Sequence, residues 1–273
     1  MVVERANREV EAHEKLGHGL HEKTDRRLSD ILAPAPGSVC LDVATASGSL
    51  ALALASRVGP KGKVIGIDLA QRMLDFASRK VRAHKVKNIE LKQMNAQKLE
   101  FDDDTFDVVA CTLAIFYFPD IEGALQEMKR VLKPGGTLGI ATADPHNAFM
   151  PLSKPYMERL HKTADALDVH PPEYSSLSEQ TRRKDGLKKL IKQAGFTKVD
   201  VREESIPVHF TAPDDWWNFG RGSTWGDLVL DAMPAEHREK FKKEHLDEVK
   251  RFFSQDGVKT ATPVIFALAR KEK

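Results

Sequence analysis

The sequence has little cysteine, no marked excess of either charge and no long apolar run, and each lack excludes a class of protein. Cys40 and Cys111 are its two cysteines; both lie in apolar runs, so they indicate buried thiols in a reducing compartment and exclude a disulfide framework. The 42 Lys and Arg against 40 Asp and Glu do not favour a nucleic-acid partner. The longest apolar stretch, residues 108–118, is too short for a membrane span. With a charged N-terminus that lacks a signal peptide, the chain is predicted to be soluble and cytoplasmic.

Metal-binding and nucleophile motifs are also lacking. His13, His18 and His21 are separated by five and three residues on a glycine-bearing segment, which is not a convincing metal-ligand spacing. The sequence contains neither a nucleophile elbow nor a phosphate-binding P-loop. We therefore predict no metal site.

From residue 37 the chain alternates short apolar strands with amphipathic helices. Such a rhythm predicts an α/β fold with right-handed crossovers and a parallel sheet covered on both faces. The predicted strands are 39–43, 63–68, 89–94, 106–112 and 137–142, with helices at 50–58, 70–85 and 121–132, and a turn at 133–136. Later elements are a helix at 185–195, strands at 198–206 and 262–270, and a charged helix at 234–253.

Segments outside this rhythm divide the chain. Residues 1–35 are predicted to be an N-terminal helical lid hinged at Gly17 and Gly19, with a fixed helix on the sheet edge as the alternative. The predicted units that follow are an α/β core at 36–143, a cap insertion at 144–184, a core continuation at 185–210, a second cap segment at 211–260 and a final core strand at 261–273.

A turn rich in small residues follows the first strand. A dinucleotide fingerprint would need small residues, usually glycines, at Ala44, Ala46 and Ser49, and none of these is glycine. The nucleotide-binding turn of S-adenosylmethionine (SAM) methyltransferases needs an acidic residue and then small residues at alternate positions. Asp42, Ala44, Ala46 and Gly48 match it. A tight turn without any ligand is the third interpretation.

Further candidate ligand contacts follow the next two strands. Asp68, twenty residues after Gly48, ends the second strand, where a carboxylate accepts hydrogen bonds from both ribose hydroxyls of an adenosine. Leu69 and Met73 would form apolar contacts beside it. Asn95 and Ala96 follow the third strand, where an amide can read the adenine edge. All these residues are predicted at the carboxyl edge of the sheet, where open α/β sheets bind ligands.

Four runs carry a resemblance to a known family. They are VCLDVATASG (39–48), GKVIGIDL (62–69), AQKLEFDDDTFDVV (96–109) and RVLKPGG (130–136). Together they resemble class I SAM-dependent methyltransferases, and within these the ubiquinone/menaquinone-biosynthesis C-methyltransferase-like group, which acts on small molecules.

The resemblance implies a fold and a cofactor. The fold would be a doubly wound, mostly parallel seven-stranded Rossmann-like sheet with helical cap insertions and an antiparallel final strand. SAM would be the cofactor and S-adenosylhomocysteine the product. The implied cofactor-binding residues are Asp42, Ala44, Thr45, Ala46 and Gly48 in the loop, Asp68, Leu69 and Met73 at the ribose, Asn95 and Ala96 at the adenine, and Thr112 and Leu113 beneath the sulfonium.

Two residues depart from the family pattern. Ala46 stands where the loop usually has its middle glycine, which adds a methyl group towards the ligand. Asn95 stands where an adenine-site acid is common, and it can still donate or accept a hydrogen bond.

The predicted ribose contact of Asp68 implies an effect of its removal. We expect Asp68→Ala to weaken SAM binding strongly while changing the stability of the free protein little.

The sequence says less about the residues that bind the methyl acceptor than about those that bind the cofactor. A general base is needed only if the attacking atom carries a proton, and the candidates are Tyr117 and His146, followed by His18 and His21. Phe116 and Phe118 are either pocket wall or core. The paired Trp216 and Trp217 either line a pocket or anchor the cap to the sheet.

The predicted function is methyl transfer from SAM to a small, cyclic or apolar acceptor by in-line displacement. The sequence does not name the acceptor or the atom that is methylated. Two alternatives stay open: a SAM-binding fold with altered or lost methyl transfer, and an NAD(P)-linked oxidoreductase.

Overall fold

A seven-stranded sheet organises the chain. The computed structural model describes residues 19–143, 149, 151–169, 176–221 and 224–273. The strands are β1 (Val39–Val43), β2 (Lys63–Asp68), β3 (Ile89–Gln93), β4 (Phe106–Thr112), β5 (Leu132–Ala143), β6 (Thr197–Phe210) and β7 (Val258–Arg270).

The strand order β3-β2-β1-β4-β5-β7-β6 confirms the predicted doubly wound fold. β1 to β5 pair in parallel, and β7 lies antiparallel between β5 and β6. The order reverses next to β1, where Asp42 is in register with Gly66 of β2 on one side and with Ala110 of β4 on the other. Ligands bind open α/β sheets at such a switch point, outside the carboxyl ends of the strands.

Ten helices accompany the sheet in the described residues. They are α1 (Leu20–Leu32), α2 (Ser49–Val58), α3 (Gln71–Ala83), α4 (Ile121–Val131), α5 (Ser153–Leu167), α6 (Ser176–Thr181), α7 (Lys184–Gln193), α8 (Pro213–Arg221), α9 (Thr224–Ala232) and α10 (Ala235–Val249). Short 3₁₀ helices lie at Ile115–Tyr117 and Lys250–Phe252.

Two apolar layers hold the helices on opposite faces of the sheet. On one face Leu28 of α1 and Leu54 of α2 share a core with Val108. On the other face Leu125 of α4 and Leu190 of α7 share a core with strand residues that include Val109. Since Val108 and Val109 are consecutive in β4, the two layers follow from the alternation of side chains along a buried strand.

The turn predicted at 133–136 is wrong. Residues 133–136 lie within β5 as a bulge, because Phe106 pairs with Leu132 while Val108 pairs with Thr137. Gly135, with φ of 79°, accepts this bend, and its N–H donates to the carbonyl of Lys271. The strands predicted at 198–206 and 262–270 are both longer, since β6 and β7 pair over their full length up to Phe210 and Val258.

The two cysteines are buried, as predicted. Cys40 and Cys111 are both fully buried free thiols, and burial raises the pKa of Cys40 to about 12.

The predicted N-terminal lid and the candidate base His146 lie partly or wholly outside the described residues. α1 begins after Gly19 and packs on the sheet. Gly17, His13 and His18 lie outside the described residues, as does His146, so the lid and that candidate base stay predictions. Over the described ranges, no helix is long and apolar enough to cross a bilayer.

The second cap segment is built around aromatic side chains. Trp216 and Trp217 of α8 are 2% and 3% exposed. The Trp216 indole N–H donates to Nε2 of His245 in α10 at 2.9 Å, and its ring lies 5.5 Å from that of Phe210 in β6. The pair therefore anchors the cap to the sheet, and its side chains do not form an open pocket wall.

The contact between α1 and β5 generates a testable prediction. A Cβ at Gly139 would lie 2.8 Å from the buried Leu32 side chain, so Gly139→Ala forces α1 outwards. We expect the free energy of unfolding to fall by about 1–3 kcal/mol. Gly220→Ala in α8 is the control, because its Cβ would meet Tyr156 at 3.5 Å, an ordinary contact. Equal denaturant midpoints for Gly139→Ala and the wild type would contradict this packing.

Candidate active site

The loop between β1 and α2 has a left-handed backbone at alternate residues. Ala44, Ala46 and Gly48 have φ of 57°, 46° and 79°. This conformation costs a residue with a side chain roughly 1–2 kcal/mol, so strain is concentrated in the loop. Gly48 also lies close to α3: a Cβ added at this position would be only 3.1 Å from Cβ of Ala77. The predicted alternation of small residues thus has a conformational cause.

Asp42 and Thr45 brace this loop from within. Asp42 is 1% exposed and accepts a hydrogen bond of 2.5 Å from the Thr45 hydroxyl. The Thr45 side chain lies over Gly66 of β2 and depends on this residue having no side chain. A Cβ added at Gly66 would be only 2.9 Å from the Thr45 hydroxyl oxygen. Burial raises the pKa of Asp42 to about 7, against the opposing effect of its hydrogen bonds. Such low exposure favours an internal role, and the predicted contact with the ligand's amino group stays a prediction.

Asp68 joins two loops at the end of β2. Its Oδ2 accepts a hydrogen bond from the Ala46 N–H at 3.0 Å, and its Oδ1 accepts one from the Ala70 N–H at 2.8 Å. Burial raises the pKa of Asp68, and hydrogen bonds from backbone N–H groups oppose that shift. A carboxylate has about four lone-pair sites, so two remain for further donors. The group can therefore accept two ribose hydroxyls without losing its own bonds.

Apolar side chains flank Asp68. Leu69 is 45% exposed and leaves apolar surface open beside the carboxylate. Ala70 and Met73 are buried and form a small cluster against which Ala46 and Phe76 pack. The methyl group of Ala46 thus has a packing partner in the protein itself, which explains how the loop accommodates this departure from the family pattern.

Asn95 and Ala96 follow β3, as predicted. The Asn95 side-chain oxygen accepts a hydrogen bond from the Gln97 N–H at 2.9 Å. Asn95 is exposed, whereas Ala96 is buried. Since the oxygen is engaged in this turn, the amide NH₂ is the group that can donate to an acceptor nitrogen of an adenine ring.

The end of β4 carries the predicted sulfonium-side residues and the candidate base Tyr117. Leu113 is left-handed, with φ of 50°, and its N–H donates to the Ala141 carbonyl at 2.7 Å. Tyr117 ends the following 3₁₀ helix and is 38% exposed, with its ring 4.4 Å from that of Phe116. The Thr112 hydroxyl is buried without a hydrogen-bond partner among the described residues.

Two residues near this edge, Arg182 and Ser178, and the buried Asp25 of α1 were missed by the sequence analysis. Arg182 places its guanidinium 4.5 Å from the Phe116 ring centre, and Ser178 donates to the Phe116 carbonyl at 2.8 Å. These contacts join α6 to the 3₁₀ helix, and the sequence carries no local signal of them. Asp25 is buried on α1, and its position one turn before Leu28 and Ser29 could have revealed it. In the described part of the chain, no group of three or more His, Cys, Asp or Glu could hold a metal.

Comparison with known proteins decides the family. A statistical model of the ubiE/COQ5 methyltransferase family matches residues 11–211, well over half of the chain. The chain belongs to this family. It is therefore a SAM-dependent methyltransferase, which agrees with the resemblance found in the sequence and favours methyl transfer over NAD(P)-linked oxidation. The match ends just before α8, so the aromatic cap lies beyond it.

Similar proteins agree with this assignment. The demethylmenaquinone methyltransferase of Lactobacillus johnsonii is 37% identical over 176 residues, which cover 62% of this chain and 72% of that protein. The Bacillus cereus protein of the same name is 33% identical over 207 residues, covering 70% of this chain and 82% of that protein. A SAM-dependent methyltransferase from Aquifex aeolicus has a similar fold, with a TM-score of 0.55 at 18% identity and 93% of each chain covered.

The residues at the carboxyl edge of the sheet have the chemical groups that SAM binding requires. Asp68 retains acceptor sites for two hydroxyls, Leu69 exposes apolar surface beside it, and Gly48 brings the loop backbone and the start of α2 to the same edge. Uncapped N–H groups at a helix start favour a carboxylate. The residue-by-residue roles stay predictions.

The Asp68 contacts predict an effect on both binding and stability. Asp68→Ala removes the predicted ribose acceptor, worth roughly 1.5–3 kcal/mol per charge-assisted bond, so affinity for S-adenosylhomocysteine should fall about 100-fold or more in calorimetric titration. The melting temperature should fall too, because the N–H groups of Ala46 and Ala70 lose their acceptor. This second effect corrects the expectation of unchanged stability. Asp75→Ala on the exposed face of α3 is the control, and equal affinities of the two variants would refute the ribose role.

The backbone of Ala46 predicts an unusual response to glycine. Ala46→Gly should leave the free energy of unfolding unchanged or raise it by up to about 1 kcal/mol, because glycine adopts a left-handed backbone without strain. Ala53→Gly within α2 should lower the free energy of unfolding by about 1 kcal/mol. Chemical denaturation of both variants measures the difference. Equal losses would show that Ala46 is not strained.

Proposed function

We propose that this methyltransferase transfers the methyl group of SAM to a small, cyclic and apolar acceptor of the quinone class in its reduced form. The observation that carries the proposal is the likeness to relatives named demethylmenaquinone methyltransferase, which extends over 72% and 82% of their own lengths. A hydroxylated aromatic ring is a carbon nucleophile, so an acceptor of this class needs no metal or redox step for methylation.

The acceptor would lie over the end of β4. The Phe116 and Tyr117 rings form an apolar wall there, and Tyr117 exposes 38% of its surface. Flat rings pack on such side chains with offset or edge contacts, which adds roughly 0.5–1.5 kcal/mol to area burial. The Arg182 guanidinium lies over the Phe116 ring and would help to hold this wall in place. The location supports an aromatic ring better than a highly charged acceptor.

In-line displacement places demands on alignment. When bound, SAM supplies an electrophilic methyl group on a positively charged sulfur. The protein then has to hold the attacking atom, the methyl carbon and the sulfur in line, and such positioning is worth up to roughly 7–11 kcal/mol. Asp68 and the loop at residues 44–48 would fix the adenosine and methionine parts, while Thr112 and Leu113 would bound the methyl group from the sheet side.

A labelled-methyl assay tests the proposal. Purified protein with methyl-labelled SAM should methylate a short-chain reduced demethylmenaquinone, and should leave an amine such as glycine unlabelled. A methyl group made chiral with three hydrogen isotopes should emerge inverted, as one in-line displacement requires. Binding of SAM without transfer to any reduced quinone would instead favour a SAM-binding fold with altered chemistry.

A further inference from the structure

One face of α3 lies along the loop between β1 and α2. Met73, Ala77 and Lys80 are separated by four and three residues, so their side chains project from the same side of the helix. Met73 and Ala77 are buried. This face therefore packs against another part of the protein, and each of the three positions contacts a different residue of the loop or its end.

The first two contacts are apolar and close. Ala46 packs on the cluster formed by Ala70 and Met73. One turn further along α3, a Cβ added at Gly48 would lie only 3.1 Å from Cβ of Ala77, so a side chain there would require the helix to give way. Alternate residues of the loop thus meet successive turns of α3.

Lys80 makes the third contact, which is polar. Its ammonium group donates to the hydroxyl of Ser49, the first residue of α2, at 2.7 Å. That hydroxyl lies 3.2 Å from the hydroxyl of Ser47, a buried residue. A chain of hydrogen bonds therefore runs from α3 to the two residues on either side of Gly48. Lys80 and Ser49 are 31 residues apart, so only the fold brings them together.

The loop needs such support because its backbone is strained. Ala46 has a left-handed backbone, and a residue with a side chain keeps that conformation only when its surroundings impose it. Asp68 holds the Ala46 N–H from the side of β2. Lys80 holds the end of the loop from the side of α3. Its donor is charged, and charge-assisted hydrogen bonds are stronger than those between neutral groups.

We propose that Lys80 is a positioning residue for the methionine part of SAM. The inference rests on the predicted cofactor site, in which the loop at residues 44–48 faces the methionine and Asp68 holds the ribose, and not on the identity of the acceptor. Through the hydroxyls of Ser49 and Ser47, the Lys80 ammonium fixes the backbone at the end of the loop and at the start of α2. Lys80 thus acts on the cofactor through the loop and not by direct contact.

This role makes the two parts of the cofactor separable. Asp68, the predicted ribose acceptor, is bonded to the N–H groups of Ala46 and Ala70, whereas Lys80 reaches the far end of the loop. Removal of the ammonium should therefore weaken the contacts of the methionine part and leave those of the adenosine part. Methyl transfer needs both parts held in place, because a displacement of about 1 Å can lower a rate about 100-fold.

Two ligands separate these contacts in calorimetric titration of the full-length protein. S-adenosylhomocysteine carries both parts of the cofactor, whereas 5′-methylthioadenosine carries the adenosine and the sulfur but lacks the amino acid. Lys80→Met keeps an apolar stem and a good helix former while it removes the ammonium. It should lower affinity for S-adenosylhomocysteine about tenfold, as expected for one lost charge-assisted hydrogen bond. Its affinity for 5′-methylthioadenosine should stay within about twofold of the wild type.

Two further variants serve as controls. Arg82→Met removes a cation from an exposed position of the same helix and should bind both ligands as the wild type does. Asp68→Ala should weaken the binding of both ligands, because both carry the ribose. Equal losses for the two ligands in Lys80→Met would show that Lys80 supports the whole edge, and no loss for either would show that the loop does not need it. Either result overturns the inference and leaves the proposed function intact.

Ser49→Ala tests whether Lys80 acts through the hydroxyl, and it decides if Lys80→Met does not fold. It should weaken S-adenosylhomocysteine more than 5′-methylthioadenosine, and unchanged affinities would overturn the inference. The double variant should bind S-adenosylhomocysteine no more weakly than the weaker single variant, because both changes remove the same hydrogen bond. Losses that multiply would overturn the inference, since Lys80 would then act independently of Ser49. If the wild type binds both ligands equally tightly, the predicted placement of the methionine part fails, and the inference fails with it.

Discussion

The two hydrogen bonds accepted by Asp68 are the interaction on which the cofactor edge depends. One comes from Ala46 in the loop after β1 and the other from Ala70 in the loop after β2, so one carboxylate sets the distance between two loops. The same two oxygens are the predicted ribose acceptors. Folding and the predicted cofactor binding would therefore use one group at this point. These hydrogen bonds hold the two loops through groups of the protein alone, and preorganisation of this kind lowers the entropy cost of binding.

Left-handed backbone is the second constraint at this edge. Ala44, Ala46 and Leu113 adopt it despite having side chains, at the ends of the adjacent strands β1 and β4. A sharp turn here carries the chain away from the carboxyl ends of the strands and leaves them open. Residues with side chains persist in such conformations only when the surroundings impose them. At Ala46 those surroundings are the Asp68 carboxylate and the cluster of Ala70 and Met73.

Local patterns predicted most of the fold, and non-local pairing accounts for the failures. β1 and β4 have the predicted limits because each is a short apolar run that follows a polar residue, Ser38 or Thr105, and ends where the backbone turns left-handed, at Ala44 or Leu113. The turn predicted at 133–136 was wrong because its N–H and C=O groups pair with Lys271, which no local pattern reveals. The predicted cofactor residues do collect at one edge, since parallel strands bring their carboxyl ends together. The burial of Asp25 was not predicted, because the apolar residues of α1 define the buried face and give no local sign that a carboxylate belongs to it.

The aromatic cap shows why a residue type alone does not assign a site. Trp216 and Trp217 resemble pocket residues in the sequence, but Trp216 finds its partner in His245, which lies 29 residues later. Burial, together with the charge of Arg159, lowers the pKa of His245 to about 4, so the imidazole is neutral near pH 7 and its Nε2 can accept a hydrogen bond from the indole N–H. The aromatic side chains of the cap thus continue the apolar layer that holds α1 and α2 on the sheet, and Phe210 of β6 lies where the two meet. The cluster of Ala70 and Met73 beside Asp68 is separate from this layer, so substitutions at Trp216 should affect the cap more than the loop that carries Ala46.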